Sequence, residues 1–153
     1  MTARVGIILG SKSDEELLTH CAGTLDALGL GWESKIASAH RNPATVAKWA
    51  SGARDRGLKV IIAMAGLSAA LPGVVAAHTT LPVIGVPVQA GALQGVDALL
   101  SMVQMPRGIP VATVAIGKGG AVNAALLAAQ ILSIEDREVL AKIDSYREEW
   151  KQP

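Results

Sequence analysis

Ser38-Ala39-His40-Arg41-Asn42-Pro43 sets an imidazole beside a guanidinium just ahead of a predicted helix start. An imidazole can move a proton near neutral pH, and a guanidinium can hold an anion through its fork of N–H donors. Asn is a favoured N-cap and Pro a favoured first helical residue, so Asn42 and Pro43 predict that His40 and Arg41 lie on a strand-to-helix turn. Turns of that kind, at the carboxyl ends of strands, are where open α/β sheets keep their chemistry. His40 is the candidate acid/base, and Ser38, Ala39 and Arg41 are candidates for holding its substrate.

A second candidate segment, Gly10-Ser11-Lys12-Ser13-Asp14, follows an apolar run and opens a helical pattern. Backbone N–H groups and the helix dipole favour a phosphate at such a place. The segment has neither G-x-x-x-x-G-K-[ST] nor G-x-G-x-x-G, so a monophosphate is expected ahead of ATP or NAD. Ser13 stands three residues before Glu16, the capping-box spacing, and taken alone it reads as a helix cap. Ser11 is expected to meet the phosphate and Asp14 a sugar hydroxyl. A third strand end, Ala65-Gly66-Leu67-Ser68, converges on the same crevice if the sheet is doubly wound.

Other chemistries find no support. His20 and His78 fall in helical patterns as packing or surface residues, and three dispersed histidines with one cysteine give no metal-ligand spacing. No G-x-S-x-G nucleophile elbow occurs, and Met102 and Met105 read as packing or loop residues. A flavin carrier would need aromatic stacking, which a chain with 3% aromatic residues and no Phe does not offer.

The elements that must position these residues alternate. Val5 to Leu9 is a continuous apolar run ended by Gly10, as expected of a parallel strand covered on both faces. Leu17 to Leu28 is periodic as a helix and stops at Gly29. Strands are predicted at Trp32 to Ala37, Leu58 to Met64, Val83 to Val86 and Val111 to Ile116, with a helix over Pro43 to Arg56. Strand-helix alternation predicts a parallel sheet with helices on both faces. Val122 to Leu132 is apolar nearly all round, more than one sheet face can bury, which predicts cover from a partner subunit. Glu135 to Lys151 reads as a charged final helix whose Tyr146 and Trp150 could dock on a neighbour.

At 153 residues the chain is expected to be a single catalytic domain, residues 1–153. Its formal net charge of +1 gives no electrostatic footprint for nucleic acid or an anionic membrane. Lone Cys21, a start at Met1-Thr2-Ala3-Arg4 without a signal-peptide pattern, and apolar runs too short to span a bilayer all fit a soluble cytoplasmic protein.

Gly10-Ser11-Lys12-Ser13-Asp14, Ser38-Ala39-His40-Arg41, Leu71-Pro72-Gly73, Pro82 to Gln89, Ser101 to Val111 and Asn123 to Gln130 together resemble the N5-carboxyaminoimidazole ribonucleotide mutase family, the catalytic subunit of phosphoribosylaminoimidazole carboxylase in purine biosynthesis. The resemblance covers nearly the whole chain in order. It implies a flavodoxin-like three-layer α/β/α sandwich with a parallel sheet and a C-terminal helix, assembled as a homo-octamer. It also implies transfer of a carboxylate from the exocyclic nitrogen of an aminoimidazole ribonucleotide to ring carbon C4, with no ATP, metal or organic cofactor. By motif position Ser11, Ser13 and Asp14 would bind the phosphoribosyl part, Arg41 the phosphate, and His40 would be the general acid/base. Gly66, Ser68, Ala70 and Leu71 would complete the substrate site. The run Ala65 to Gly73 departs from the common bacterial pattern, because Ala70 stands where that pattern has histidine. Its Gly-x-Ser-x-Ala-Leu character resembles the family's second branch, which carboxylates aminoimidazole ribonucleotide directly with carbon dioxide. A paralogue acting on a related ribonucleotide and a non-catalytic nucleotide-phosphate binding module are the remaining alternatives.

Overall fold

The computed structural model describes residues 2–151. Five strands, β1 (Val5–Leu9), β2 (Trp32–Ile36), β3 (Val60–Ala65), β4 (Val83–Pro87) and β5 (Ala112–Thr113), pair in parallel in the order β2-β1-β3-β4-β5. Six helices, α1 (Glu15–Ala27), α2 (Pro43–Ser51), α3 (Leu71–Ala77), α4 (Val96–Val103), α5 (Lys118–Ser133) and α6 (Arg137–Glu148), fill the intervals and the C-terminal end. The result is a flavodoxin-like α/β fold.

The continuous apolar strands serve two cores at once. Val5, Ile7 and Leu9 of β1 and Val60, Ile62 and Met64 of β3 pack with α1, α5 and α6, whereas Ile8, Ile61 and Ala63 pack with α2, α3 and α4. Successive side chains point to opposite faces, so a strand covered on both sides must be apolar throughout. Close approach sets the spacing of the second layer. A Cβ on Gly6 would stand 2.7 Å from Leu58 Cδ1 and 2.9 Å from the Trp49 ring, so α2 can lie this near the sheet only above a glycine.

Several local expectations give way. The Ser13–Glu16 capping box does not form: Lys12–Asp14 is a single 3-10 turn, the Ser13 N–H donates to Ser11 Oγ at 3.3 Å, and Asp14 precedes α1 without a side-chain cap bond. Ser11 therefore caps this turn in place of Ser13, its hydroxyl accepting from the free N–H two residues ahead. Asn42 is the N-cap of α2 by position but not by its side chain. That helix ends at Ser51, five residues before the predicted Arg56, with Gly52 as its C-cap and Gly57 at φ +91° in the turns that follow. β5 shrinks to Ala112–Thr113 at the sheet edge.

α5 also differs from expectation. Ala121, Ala124, Ala125, Ala128, Ala129 and Leu132 are buried, with α1 packed along one side and α6 along another. Much of the cover that the sequence assigned to a partner thus comes from the chain itself. α6 contributes Val139 and Ile143 to that core, with Tyr146 packed against it. Its N-cap Asp136 accepts from the Glu138 and Val139 N–H groups and from the Arg4 guanidinium. The apolar side chains left exposed include Leu93 and the line Val96, Leu100, Val103 on α4.

The strand order decides where a ligand can enter. The chain leaves β1 for β2 on one side and returns to β3 on the other. Loops leaving β1 and β3 therefore diverge, opening a crevice above the carboxyl ends of the strands.

Candidate active site

A cleft of about 470 Å³ occupies that switch point. Its walls are the turn after β1 (Gly10, Ser11, Ser13, Asp14), the turn after β2 (Ser38, Ala39, His40, Arg41), the segment from the end of β3 into α3 (Ala65 to Leu71), and Ala90 beyond β4. The structure brings every sequence-predicted site residue to this cleft. Strand ends in the sequence point to three of these four loops. Ala90 comes from the fourth, and the same rule applied to the end of Val83–Val86 reaches it four residues on.

The β2 turn is built by Ser38. Its Oγ accepts from the Arg41 N–H at 3.2 Å and its carbonyl accepts from the Asn42 N–H at 2.8 Å. This hydroxyl-closed turn leaves His40 and Arg41 exposed at the mouth. Arg41 belongs to none of the ion pairs among the described residues, Arg4–Asp136, Arg56–Glu33 and Lys151–Glu148, so its guanidinium is available to an anion.

Asp14 is the buried charge of the site, with 6% of its surface exposed. Burial is the largest influence and raises its carboxyl above the ordinary carboxylate range; hydrogen bonds from the Ser13 side chain and the Ser11 backbone N–H oppose that rise. The Ser13 hydroxyl reaches both Ser11 Oγ at 3.0 Å and Asp14 Oδ1 at 3.2 Å, which makes one connected polar floor. No cation pairs with Asp14 among the described residues. A buried carboxylate in that state has acceptor capacity to spare, and a vicinal diol would supply two donors to it.

The third wall is different in kind. Gly66, Ala69 and Ala70 bring small apolar surface to the cleft, with Leu71 at the head of α3. Tight turns shape it: the Ala69 N–H donates to the Leu67 carbonyl and the Ala70 N–H to the Ser68 carbonyl, each at 2.8 Å. The cleft is polar toward β1 and β2 and apolar toward the Ala-rich segment after β3. No group of three or more His, Cys, Asp or Glu gathers among the described residues as a metal site. A larger open hollow of about 1000 Å³ lies at the other end of β4, lined in part by Arg54, which donates to Thr80 Oγ1 at 2.9 Å.

The family model described as AIR carboxylase matches residues 4–153. N5-carboxyaminoimidazole ribonucleotide mutase of Bacillus subtilis is 59% identical over 152 residues, covering 99% of this chain and 94% of that protein. The mutase of the same name from Pseudomonas aeruginosa is 57% identical over 152 residues, covering 99% and 89%. The crystal structure of Treponema denticola PurE superposes with a TM-score of 0.86 at 33% identity, covering 97% of this chain and 91% of that one.

Proposed function

The chain belongs to the AIR carboxylase family, and we propose that it is an N5-carboxyaminoimidazole ribonucleotide mutase, an isomerase of purine biosynthesis. It is an enzyme that forms 4-carboxy-5-aminoimidazole ribonucleotide in one catalytic domain. The observation that carries this reading is the meeting of His40, Arg41 and the buried Asp14 in one cleft that is polar at one end and apolar at the other.

Each part of the cleft has a task in the transfer. Arg41 and the Ser11 turn bind the 5′-phosphate, and the Asp14 carboxylate accepts from the ribose hydroxyls. Those contacts hold the aminoimidazole ring over the small apolar wall of Gly66, Ser68, Ala70 and Leu71. His40 gives a proton to the exocyclic nitrogen as its bond to the carboxylate breaks, which leaves neutral carbon dioxide and aminoimidazole ribonucleotide. C4 then attacks the carbon dioxide, and its proton passes back to His40. The imidazole ends as it began, so the reaction consumes no external acid or base.

The exposed Leu93, Val96, Leu100 and Val103 give the protein an apolar surface for self-association, and a homo-octamer is the assembly we assign. No helix among the described residues is long and apolar enough to cross a membrane, and the substrate, a soluble ribonucleotide, fits a cytoplasmic enzyme.

Purified protein supplied with the carbamate, and separately with aminoimidazole ribonucleotide plus bicarbonate, tests the reading through formation of the C4-carboxylated product. Turnover of the carbamate supports the mutase. Turnover confined to the free amine and carbon dioxide would assign the chain to the direct carboxylases, the reading that Ala70 favours. Activity on neither would overturn the mutase and leave a paralogue acting on a related ribonucleotide or a non-catalytic binding module.

A further inference from the structure

Two non-glycine residues of the described chain have left-handed backbone, Leu67 at φ 55° and Gln94 at φ 52°, and both converge on Gly91. Leu67 lies so close above it that a Cβ on Gly91 would stand 2.7 Å from Leu67 Cδ2. Gln94 holds the same glycine through its backbone, with Nε2 donating to the Gly91 carbonyl at 2.8 Å. Gln89 Nε2 in turn donates to Gln94 Oε1 at 2.9 Å. The loop after β3 and the loop after β4 are therefore joined at one point, next to Ala90 in the cleft wall.

That arrangement is costly for its residues. A left-handed leucine brings its Cβ against a carbonyl oxygen and persists only where the surroundings hold it. Core burial is not the compensation, since Leu67 is 55% exposed. Its side chain instead bridges the two loops that form the apolar end of the cleft. Carbon dioxide is small and neutral and offers no strong handle to a polar group. Its recapture is decided by escape through this wall against attack by C4.

We propose that Leu67 is a positioning residue that latches the β3 loop onto Gly91 and retains carbon dioxide between its release from nitrogen and its capture at C4. The inference rests on the mutase reading. In the steps concerned, the N–carboxylate bond breaks as the nitrogen gains a proton, and the C4–carboxylate bond forms as C4 loses one; no oxidant or reductant takes part.

The test supplies carbamate labelled in its carboxyl carbon, in a pool of unlabelled bicarbonate and carbon dioxide. Label retained in the C4 product and free aminoimidazole ribonucleotide released are both followed at early times. The unaltered protein is expected to keep its label. Leu67→Ala is expected to admit pool carbon and release several-fold more free amine, with KM for the carbamate moved far less. Leu67→Met, which restores reach toward Gly91, is expected to recover retention, and it decides the matter should the alanine variant unfold on a thermal scan. Retention by Leu67→Ala equal to that of the unaltered protein overturns the latch and leaves the mutase standing, as does full exchange by the unaltered protein. Failure of the unaltered protein to convert carbamate at all overturns both.

Discussion

The Ser13 hydroxyl donates to Asp14 Oδ1 at 3.2 Å above a carboxylate that is 6% exposed and unpaired with any cation among the described residues. Burial raises the Asp14 carboxyl, which means the fold disfavours its charged form. A raised folded-state value takes stability away as pH climbs from the ordinary carboxylate range through the raised value, and the deficit is then constant at higher pH. Asp14→Asn keeps the shape and the Ser13 contact but removes the charge. It is expected to stabilise the ligand-free protein at pH 7 by about 1 kcal/mol, a typical gain when a functional site is relieved. Chemical denaturation across pH checks the sign: the two proteins should converge below the ordinary carboxylate range. The same variant should lose most of its turnover, because a ribose diol would meet an amide that is itself partly a donor.

His40→Asn separates proton transfer from binding. Asn cannot exchange a proton, and His40 is exposed at the cleft mouth, so the fold should tolerate the change. Removing a general acid/base costs roughly 100- to 10,000-fold in rate. Calorimetry with a ribonucleotide 5′-monophosphate should find affinity within a few-fold of the unaltered protein. Affinity lost in parallel with rate would make His40 a binding group.

Much of the sheet is legible in the sequence because its central strands are covered twice, and residues such as Ile7, Ile8, Ile61 and Ile62 leave no polar position to confuse the pattern. The edge is another matter. Val111 to Ile116 reads as a six-residue strand, but only Ala112 and Thr113 pair, with neighbours on one side alone. The gathering of His40, Arg41 and Asp14 is legible through strand ends and switch-point topology, whereas the Leu67–Gly91 contact is not. Left-handed backbone at a leucine comes from tertiary packing that no local propensity encodes.

Gly120 tests how α5 is seated. It is buried in the first turn of the helix, and a Cβ there would run into the Ala115 carbonyl oxygen. Backbone cannot step aside as a flexible side chain can. Gly120→Ala is therefore expected to destabilise by about 2–3 kcal/mol despite its favourable helix propensity, the usual scale for overpacking. Gly119→Ala is the control: nothing lies within 4 Å of its would-be Cβ, so unfolding should shift little or rise slightly.

Acid should weaken the anchoring of the C-terminal helix. The Arg4 guanidinium beside Asp136 is the main cause that holds its carboxyl below the ordinary range, helped by the Val139 and Glu138 N–H groups. A depressed folded-state value gives stability that is fully present above the unfolded value and lost as pH falls through the folded one. Asp136→Asn should accordingly lower Tm at pH 7. The difference should close as pH drops below the ordinary carboxylate range, and added salt at pH 7 should narrow it because the pair is partly exposed. A Tm gap that stays constant down to strong acid would assign the effect to geometry and not to charge.

Cys21 reports on the opening of α1. The side chain is fully buried against the first core, and burial pushes the thiol up to about 12. The thiolate is the reacting species, so both burial and protonation protect it. In the native protein at pH 8, a thiol reagent should modify Cys21 at least about 1000-fold more slowly than in the denatured chain, as expected for a reaction that waits on opening. The rate should rise with denaturant in step with global unfolding measured by Trp fluorescence. Modification that outruns global unfolding would show α1 leaving the sheet by itself. Since the Ser11–Asp14 turn leads directly into that helix, a ribonucleotide bound there should then slow the reaction in proportion to its occupancy.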